Sequence, residues 1–208
     1  METVIKIRNK VLSLISYTLN LFYECIMRKR LKNDSFTIIC SNCIGGIIYH
    51  RLGKEFLSPT INLWMYQTDF LKFVQNLKGY LAKELIFIET DDDFPVAKLG
   101  DIKIFFNHYD SEQDAKESWN RRKQRIRYDN LFLIMYDRDG ITESDIRKFG
   151  EVECRNKLVI SDHDYPKNEY VKKMVPSRKR NGQQCMDVDV LGFRTFEKQF
   201  DYVKWLNN

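Results

Sequence analysis

Cys43 lies in the stretch of this sequence that is best suited to chemistry. The run Ser41-Asn42-Cys43 stands between a short apolar segment, residues 36–40, and Ile44-Gly45-Gly46. This pattern predicts a buried strand, a polar turn and the start of a helix. Backbone N–H groups and the positive end of the helix dipole favour a thiolate or a bound anion at such a turn. The two glycines would let a ligand approach the backbone closely.

A thiolate nucleophile needs a general base, and His108 is the histidine best placed to act as one. It follows a second predicted strand, whereas His163 stands in an acidic loop and is expected to be exposed. Asp137 follows a third predicted strand, and it or Asn42 could orient the imidazole. Because ligands of parallel sheets bind beyond the carboxyl ends of the strands, these clusters are expected to converge. We therefore predict Cys43, His108 and Asp137 as catalytic residues of an acyl- or glycosyl-type transferase or a hydrolase.

The same turn could instead hold the phosphate of a nucleotide sugar or a lipid-linked sugar. Gly45 and Gly46 at a helix start would cradle the phosphate, and Arg121, Arg122 and Arg125 would bind its charge. The turn matches neither the dinucleotide-binding fingerprint nor the P-loop. The run Asp91-Asp92-Asp93 could supply a metal-binding motif of the glycosyltransferase kind, although such acidic runs usually form solvated loops. No cofactor is predicted, and a divalent metal ion is the alternative.

Short apolar runs alternate with helical patterns along the chain, and this alternation predicts the fold. It indicates an α/β domain with a largely parallel sheet and helices on both faces, a three-layer, Rossmann-like arrangement. The apolar run 131–136 is typical of a strand buried on both faces, and Ser111 and Thr142 are expected helix caps. Other strands are predicted at 36–40, 61–65, 85–89, 102–107 and 158–161, and helices at 44–52, 68–81, 111–125, 142–149 and 196–205.

Residues 1–33 are predicted to form an amphipathic helix that precedes a single α/β domain at 34–208. Residues 11–23 carry no charge, and basic residues stand on both sides of them. This segment is too short to span a bilayer, and no cleavage site of a signal peptide follows it. The helix is expected to pack on its own domain, and a membrane surface or a second subunit is the alternative partner.

The amino-acid composition limits which classes of ligand and which cellular compartment are expected. The net charge of +5 on 208 residues suits an anionic sugar or sugar-phosphate ligand or a membrane surface, and is too weak to indicate nucleic acid. The hydrophobic content of 43% favours a packed globule over disorder. An odd number of scattered cysteines predicts a reducing, cytoplasmic location without a disulfide framework. The cysteines are Cys25, Cys40, Cys43, Cys154 and Cys185.

A set of short motifs runs in order from about residue 36 to the C-terminal helix. They are Ser41-Asn42-Cys43-x-Gly45-Gly46, Leu52-Gly53, Ser58-Pro59-Thr60, His108-Tyr109, Trp119-Asn120-Arg121-Arg122, Arg125-Ile126, Asp129-Asn130 and Asp137-Arg138. In this combination they resemble an uncharacterised bacterial family, a domain of unknown function, associated with capsule and exopolysaccharide biosynthesis gene clusters. The chain departs from similar sequences at Ile44, where they often carry Trp. The resemblance implies a role in surface-polysaccharide assembly and brings no established reaction.

Motif residues beside the catalytic candidates are predicted to bind the substrate. They are Ser41, Asn42, Gly45, Gly46, Tyr109, Trp119, Asn120, Arg121, Arg122 and Arg138. The predicted function is that of an exopolysaccharide or capsule biosynthesis protein, a transferase or hydrolase acting on a glycan or an activated-sugar substrate. Two alternatives stay open: a non-catalytic binding or scaffold protein of a polysaccharide assembly complex, and a metal-dependent glycosyltransferase.

Overall fold

The computed structural model describes residues 2–138, 140–165, 167–175, 186, 188–189 and 191–208, and for residues 2–7 the backbone alone. Cys185 lies outside the described residues. The chain forms two compact units. The terminal unit comprises Met1–Asp34, His50–Lys54 and Met174–Asn208, and the sheet unit comprises Ser35–Tyr49 and Glu55–Lys173. The division at residues 33 and 34 stays a prediction.

All strands named here belong to the sheet unit. In chain order they are β1 (Thr37–Cys40), β2 (Ile86–Ile88), β3 (Val96–Leu99), β4 (Ile102–Phe105), β5 (Leu131–Tyr136), β6 (Asn156–Ser161) and β7 (Val171–Lys173). A four-stranded sheet has the order β1-β5-β6-β7, and every neighbouring pair in it is parallel. A second, antiparallel sheet has the order β2-β3-β4. The α/β class and the mostly parallel main sheet are therefore confirmed, with a separate antiparallel sheet beside it.

Strand β5 lies inside the parallel sheet because its sequence is apolar on both faces. Its residues Phe132 to Tyr136 are each at most 4% exposed. A strand covered on both sides cannot alternate apolar and polar residues, which is why the sequence shows a continuous apolar run. The predicted strand 131–136 is confirmed over the same residues.

Strand β1 stands first in the sheet order, and side chains bond the backbone groups on the side away from β5. The Tyr49 hydroxyl accepts a hydrogen bond from Ile38 N at 3.1 Å and donates one to Phe36 O at 2.8 Å. The Thr60 hydroxyl accepts a hydrogen bond from Cys40 N at 2.9 Å. These three buried backbone groups are thereby paired, as burial requires.

The helices follow the capping signals of the sequence. In chain order they are α1 (Glu2–Arg30), α2 (Ile44–Leu52), α3 (Gln67–Gln75), α4 (Leu77–Leu81), α5 (Glu112–Lys123), α6 (Glu143–Gly150), α7 (Thr195–Gln199) and α8 (Tyr202–Leu206). The Ser111 hydroxyl accepts a hydrogen bond from Asp114 N, and Thr142 forms a capping box with Asp145. Both predicted caps are confirmed.

Several predicted elements were wrong in detail. The helix predicted over 68–81 is divided into α3 and α4 at Asn76, whose side chain accepts a hydrogen bond from Gly79 N and starts a new helix. The strand predicted over 61–65 is reduced to one bridge between Trp64 and Phe105. The C-terminal helix predicted over 196–205 consists of α7 and α8, because Phe200 takes an extended conformation between them.

The terminal unit is held together by the buried guanidinium of Arg51. Its Nε donates to Glu197 Oε1 at 2.7 Å, and Nη1 donates to Glu24 Oε1 at 3.1 Å. Nη2 also donates to Gly192 O at 3.1 Å. The Glu197 side chain is fully buried, and that of Arg51 is 9% exposed. Buried charges of this kind are retained only where they are paired and hydrogen-bonded.

Candidate functional site

The parallel sheet brings three polar segments to its carboxyl edge. Cys40 of β1 is paired with Ile134 of β5, and Tyr136 of β5 is paired with Ile160 of β6. The residues that follow these strands therefore leave neighbouring strands at the same edge. They are Ser41, Asn42 and Cys43 after β1, Asp137 and Arg138 after β5, and Asp162 and His163 after β6. Ligand sites of open parallel sheets form at this edge.

Asp137 is the buried carboxylate of the edge, with its side chain 5% exposed. Its Oδ1 accepts a hydrogen bond from Ile141 N at 2.8 Å, and its Oδ2 accepts one from the Ser161 hydroxyl at 2.7 Å. Its backbone N donates to Ile160 O at 2.8 Å and continues the ladder of the sheet by one residue. These bonds fix the carboxylate in one orientation.

His163 is the histidine that lies beside Asp137. Its Nδ1 is 2.7 Å from Asp162 Oδ1 and 3.8 Å from Asp137 Oδ2, and its backbone N donates to the Ser161 hydroxyl at 3.0 Å. The imidazole is 72% exposed, as expected from its acidic loop. When Nδ1–H is donated to a carboxylate, Nε2 is left as a proton acceptor that faces solvent. The arrangement can therefore act as a general base.

The same side chains could hold a divalent cation. One ligand atom each of Asp137, Asp162 and His163 lies within 4.8 Å of the others. Carboxylate oxygens and an imidazole nitrogen suit Mn²⁺ or Zn²⁺. The acidic run Asp91-Asp92-Asp93, by comparison, is an exposed loop between β2 and β3.

Ser41 and Asn42 form the turn that follows β1. The buried Ser41 hydroxyl accepts a hydrogen bond from Tyr136 N at 2.9 Å, which ties the end of β1 to the end of β5. Asn42 Oδ1 accepts a hydrogen bond from Ile44 N at 3.1 Å, at the first residue of α2. Both side chains thus build the turn, and their predicted contact with substrate stays a prediction.

The two cysteines beside this turn differ in accessibility. Cys43 is half-buried, and its Sγ lies 3.9 Å from Leu63 O. Cys40 is fully buried, and burial raises the pKa of its thiol to about 12. Since thiolate is the reactive form, Cys40 is inert near neutral pH. Cys43, at the start of α2, is the thiol that the helix dipole can activate.

We expect iodoacetamide at pH 6 to alkylate Cys43 about tenfold faster than the exposed Cys25, because a helix N-terminus favours thiolate over thiol. Cys40 should react only after unfolding. Peptide mass spectrometry on a time course measures all three rates in one sample. A Cys43 rate equal to or below that of Cys25 would show that this thiol is not activated.

Gly45 and Gly46 allow α2 to pack closely, which is a local reason for both glycines. A Cβ at Gly45 would lie 3.1 Å from Cys40 Cβ, and one at Gly46 would lie 3.3 Å from Asn62 Oδ1. Asn62 itself has φ of 60°, a left-handed conformation that asparagine tolerates better than most residues. The glycines therefore face protein atoms in this structure, and phosphate binding by them stays a prediction.

Arg138 is held over an aromatic ring at the same edge. Its Cζ lies 3.7 Å from the centroid of the Trp64 ring, and the Trp64 ring stacks on Phe105 with centroids 3.8 Å apart. Stacking on an aromatic face is a geometry that a guanidinium favours and an ammonium does not reproduce. Arg138 is thus oriented beside Asp137 and can contact an anionic ligand at the edge.

His108 and Tyr109 follow β4, which belongs to the antiparallel sheet. His108 is exposed, whereas Tyr109 is 7% exposed and donates from its hydroxyl to Ile61 O at 2.8 Å. Arg122 donates to the same hydroxyl. Burial raises the pKa of Tyr109. His108 therefore follows a strand of a different sheet from the one that positions Asp137, and its pairing with Cys43 stays a prediction.

The remaining predicted binding residues lie on α5. Trp119 is 1% exposed and packs against Phe73 and Phe106 in the core of the sheet unit. Arg121 is exposed and donates to the Ser118 hydroxyl at 3.2 Å, and Asn120 is half-buried. Trp119 thus contributes to packing, and Arg121 to the helix surface.

Sequence reasoning did not select four residues of this edge. Trp64, Ser161, Asp162 and His163 have no motif around them that signals a site. Only the position of Asp162 and His163 directly after a predicted strand could have pointed to them. Trp64 required knowledge of the bridge that places it beside Phe105.

Comparison with known proteins identifies the family of this chain but does not assign an activity to it. A family model described as "Domain of unknown function (DUF1919)" matches residues 15–207. An uncharacterised protein of Haemophilus influenzae (strain Rd) is 37% identical over 201 residues, which cover 96% of this chain and 97% of that protein.

Proposed function

Since this chain belongs to the DUF1919 family, for which the match brings no activity, we propose its function from the chemistry of its own site. The protein is a transferase or hydrolase that acts on a glycan or an activated-sugar substrate in capsule or exopolysaccharide biosynthesis. Its reaction takes place at the carboxyl edge of the parallel sheet, in a three-layer arrangement with helices on both faces. Its location is cytoplasmic, in keeping with the fact that no disulfide joins the four cysteines that the structure describes, Cys25, Cys40, Cys43 and Cys154.

The observation that carries this proposal is the group formed by Asp137, Asp162 and His163. A buried, fixed carboxylate and an exposed imidazole lie 3.8 Å apart where parallel sheets bind their ligands. A neutral imidazole held by carboxylates removes a proton from an attacking hydroxyl or water, as transfer to a sugar or hydrolysis requires. His163 thus supplies the general base, the role predicted from the sequence for His108.

The stacked guanidinium of Arg138 favours the proposal that the substrate is anionic. Transfer of an activated sugar displaces a phosphate group, on which negative charge increases as the bond breaks. An arginine fixed by Trp64 offers paired donors to such a group without losing further side-chain freedom. Cys43 lies in the turn after the neighbouring strand β1 and could act as a nucleophile or as a contact to the substrate.

A metal-dependent glycosyltransferase is the second candidate, and one observation favours it. The ligand atoms of Asp137, Asp162 and His163 lie close enough to share one cation. In this version the cation would neutralise the leaving phosphate, and the imidazole would be a ligand in place of a base.

Incubation with a panel of UDP-, GDP- and CMP-sugars tests the proposal, with and without Mn²⁺. Nucleotide release is followed by chromatography and binding by calorimetry. We expect binding of at least one donor, weakened by about 10–100-fold in Arg138→Leu because a charged hydrogen-bonded contact is lost. Arg155→Leu, an exposed arginine just before β6, is the matched control and should bind as the wild type does.

The outcomes separate the candidates. Release without Mn²⁺ supports the base mechanism, and release only with Mn²⁺ supports the metal-dependent one. Binding without release, when a glycan acceptor is added as well, would assign a non-catalytic binding protein. Equal weakening by Arg138→Leu and Arg155→Leu would contradict a site at this edge.

A further inference from the structure

We propose that the outer face of α1 binds the surface of an anionic phospholipid bilayer, with the helix lying in the plane of the interface. The outer face is defined by exposed apolar side chains of one helix. Its centre is formed by Val11, Leu14, Ile15, Leu21, Phe22 and Ile26, and it is flanked by Leu12, Tyr17 and Leu19. This inference concerns the terminal unit alone and does not rest on the proposed reaction.

The helix turns its polar residues inward, against its own unit. The Ser16 hydroxyl and the Asn20 amide both donate to Leu191 O at 2.7 Å. Glu24 accepts from Arg51, and the Tyr23 ring contacts Phe193 with centroids 5.2 Å apart. At about 100° per residue these positions share one side of the helix. The side that meets the protein is therefore the more polar one.

The opposite side is apolar and open to solvent. Leu14 is 67% exposed, Phe22 is 66% and Tyr17 is 63%. Single exposed apolar residues are ordinary, but a continuous row of them along several turns marks a binding surface. A helix on the surface of a soluble globular protein normally has the reverse pattern: its apolar stripe faces the core and its polar residues face water.

The length of the row fits an interface. Residues 11–23 carry no charge and span about 20 Å along the helix, whereas the hydrocarbon core of a bilayer is about 30 Å thick. Among the described residues, no helix combines the length and the apolarity that crossing a bilayer requires. A helix of this kind buries one face at the boundary between headgroups and acyl chains.

The charges at both ends of the row select an anionic surface. Residues 1–33 contain seven Lys and Arg but only two Glu, and Glu24 is bonded to Arg51 and Arg28. Arg8 and Lys10 are exposed before the row, and Lys29 is exposed after it. Pairing two copies of α1, parallel or antiparallel, would bring cations against cations, which destabilises such a dimer. Anionic headgroups would attract both ends at once.

Co-sedimentation of the full chain with vesicles tests the proposal. The vesicles contain phosphatidylcholine alone or with about 30 mol% phosphatidylglycerol. We expect at least tenfold stronger partitioning into the anionic vesicles. The loss of one cation in Lys29→Gln should weaken partitioning about fivefold. The double variant Leu14→Glu/Phe22→Glu should lose partitioning by more than tenfold, because two apolar side chains become charged.

The matched control is Ile86→Glu/Val175→Glu, which changes two comparably exposed apolar residues outside α1, 62% and 61% exposed. It should partition as the wild type does, and circular dichroism confirms that every variant keeps its helix content. Absence of binding to anionic vesicles, or equal binding of both double variants, overturns the proposal. A third outcome also overturns the proposal: light scattering shows a dimer, Leu14→Glu/Phe22→Glu dissociates it, and the protein does not bind lipid. The outer face would then contact a second copy of the chain.

Discussion

Asp137→Asn is expected to lower turnover of the sugar donor by about 10²–10⁴-fold, the range associated with loss of positioned acid–base catalysis. Asparagine keeps an oxygen that can accept the hydrogen bond from Ile141 N, and the Ser161 hydroxyl can accept from the new amide. The shape of the edge is thereby retained while its buried negative charge is removed. The imidazolium that forms at His163 during proton transfer then loses one of its two carboxylate neighbours.

Rates of nucleotide release by the purified proteins, compared under the conditions that the wild type requires, measure this effect. Asp92→Asn is the matched control, because it makes the same chemical change in an exposed loop and should leave the rate within about twofold. A large loss in Asp92→Asn together with full activity in Asp137→Asn would move the site to the acidic run 91–93. Unchanged unfolding midpoints in both variants exclude a folding defect.

Arg51→Ala is expected to lower the free energy of unfolding of the terminal unit by about 3–5 kcal/mol. The change leaves the carboxylate of Glu197, which is 0% exposed, without its cation, and it removes the donor that faces Glu24. A buried charge without a partner costs much more than the intact ion pair contributes. The lost donor to Gly192 O adds to the effect.

Chemical denaturation followed by circular dichroism measures the loss, and a double-mutant cycle identifies its source. Glu197→Gln should relieve part of the destabilisation in the Arg51→Ala background, because the neutral amide no longer needs a cation. Arg125→Ala is the control: its partner Glu55 is 64% exposed, so that pair contributes less than about 1 kcal/mol. Additive effects of Arg51→Ala and Glu197→Gln would contradict a coupled buried pair.

The sequence predicted those elements whose signals are local. Thr142 and Ser111 were predicted as helix caps because capping is a local interaction: the hydroxyl accepts a hydrogen bond from a backbone N–H three residues later and needs no distant contact. Strand β5 was predicted over its full length because both of its faces are buried, which leaves a continuous apolar run. Helix α2 was predicted with the same bounds, since the polar turn before it and Gly53 after it mark both ends.

Elements that depend on pairing were harder to predict. Strand β3 follows Pro95 and has four residues, and it is defined by antiparallel pairing with β4 across a turn at Gly100, where φ is 67°. Unless this pairing is recognised, the sequence does not show that β4 belongs to a second sheet. The assignment of His108 to the end of an antiparallel strand follows from this one pairing.

The location of the candidate site could be predicted from the sequence, but only some of its residues could. Asp137 was selected because it follows the most strongly predicted strand. His163 was not selected because its acidic loop predicted an exposed side chain, which it is; its closeness to Asp137 depends on the register of β5 and β6, which no local pattern encodes. Tyr109 and Arg122 bond each other inside the sheet unit, and a sequence does not distinguish such a buried pair from a binding pair.

Tyr49 and Thr60 also determine what β1 can associate with. An outermost strand usually offers unpaired N–H and C=O groups on which a foreign strand can assemble, and this is a route to aggregation. Here Ile38 N and Cys40 N already donate to side-chain hydroxyls, and Phe36 O accepts from one. These three backbone groups at the β1 margin of the sheet are therefore not available to a foreign strand, which makes edge-to-edge assembly at β1 less favourable.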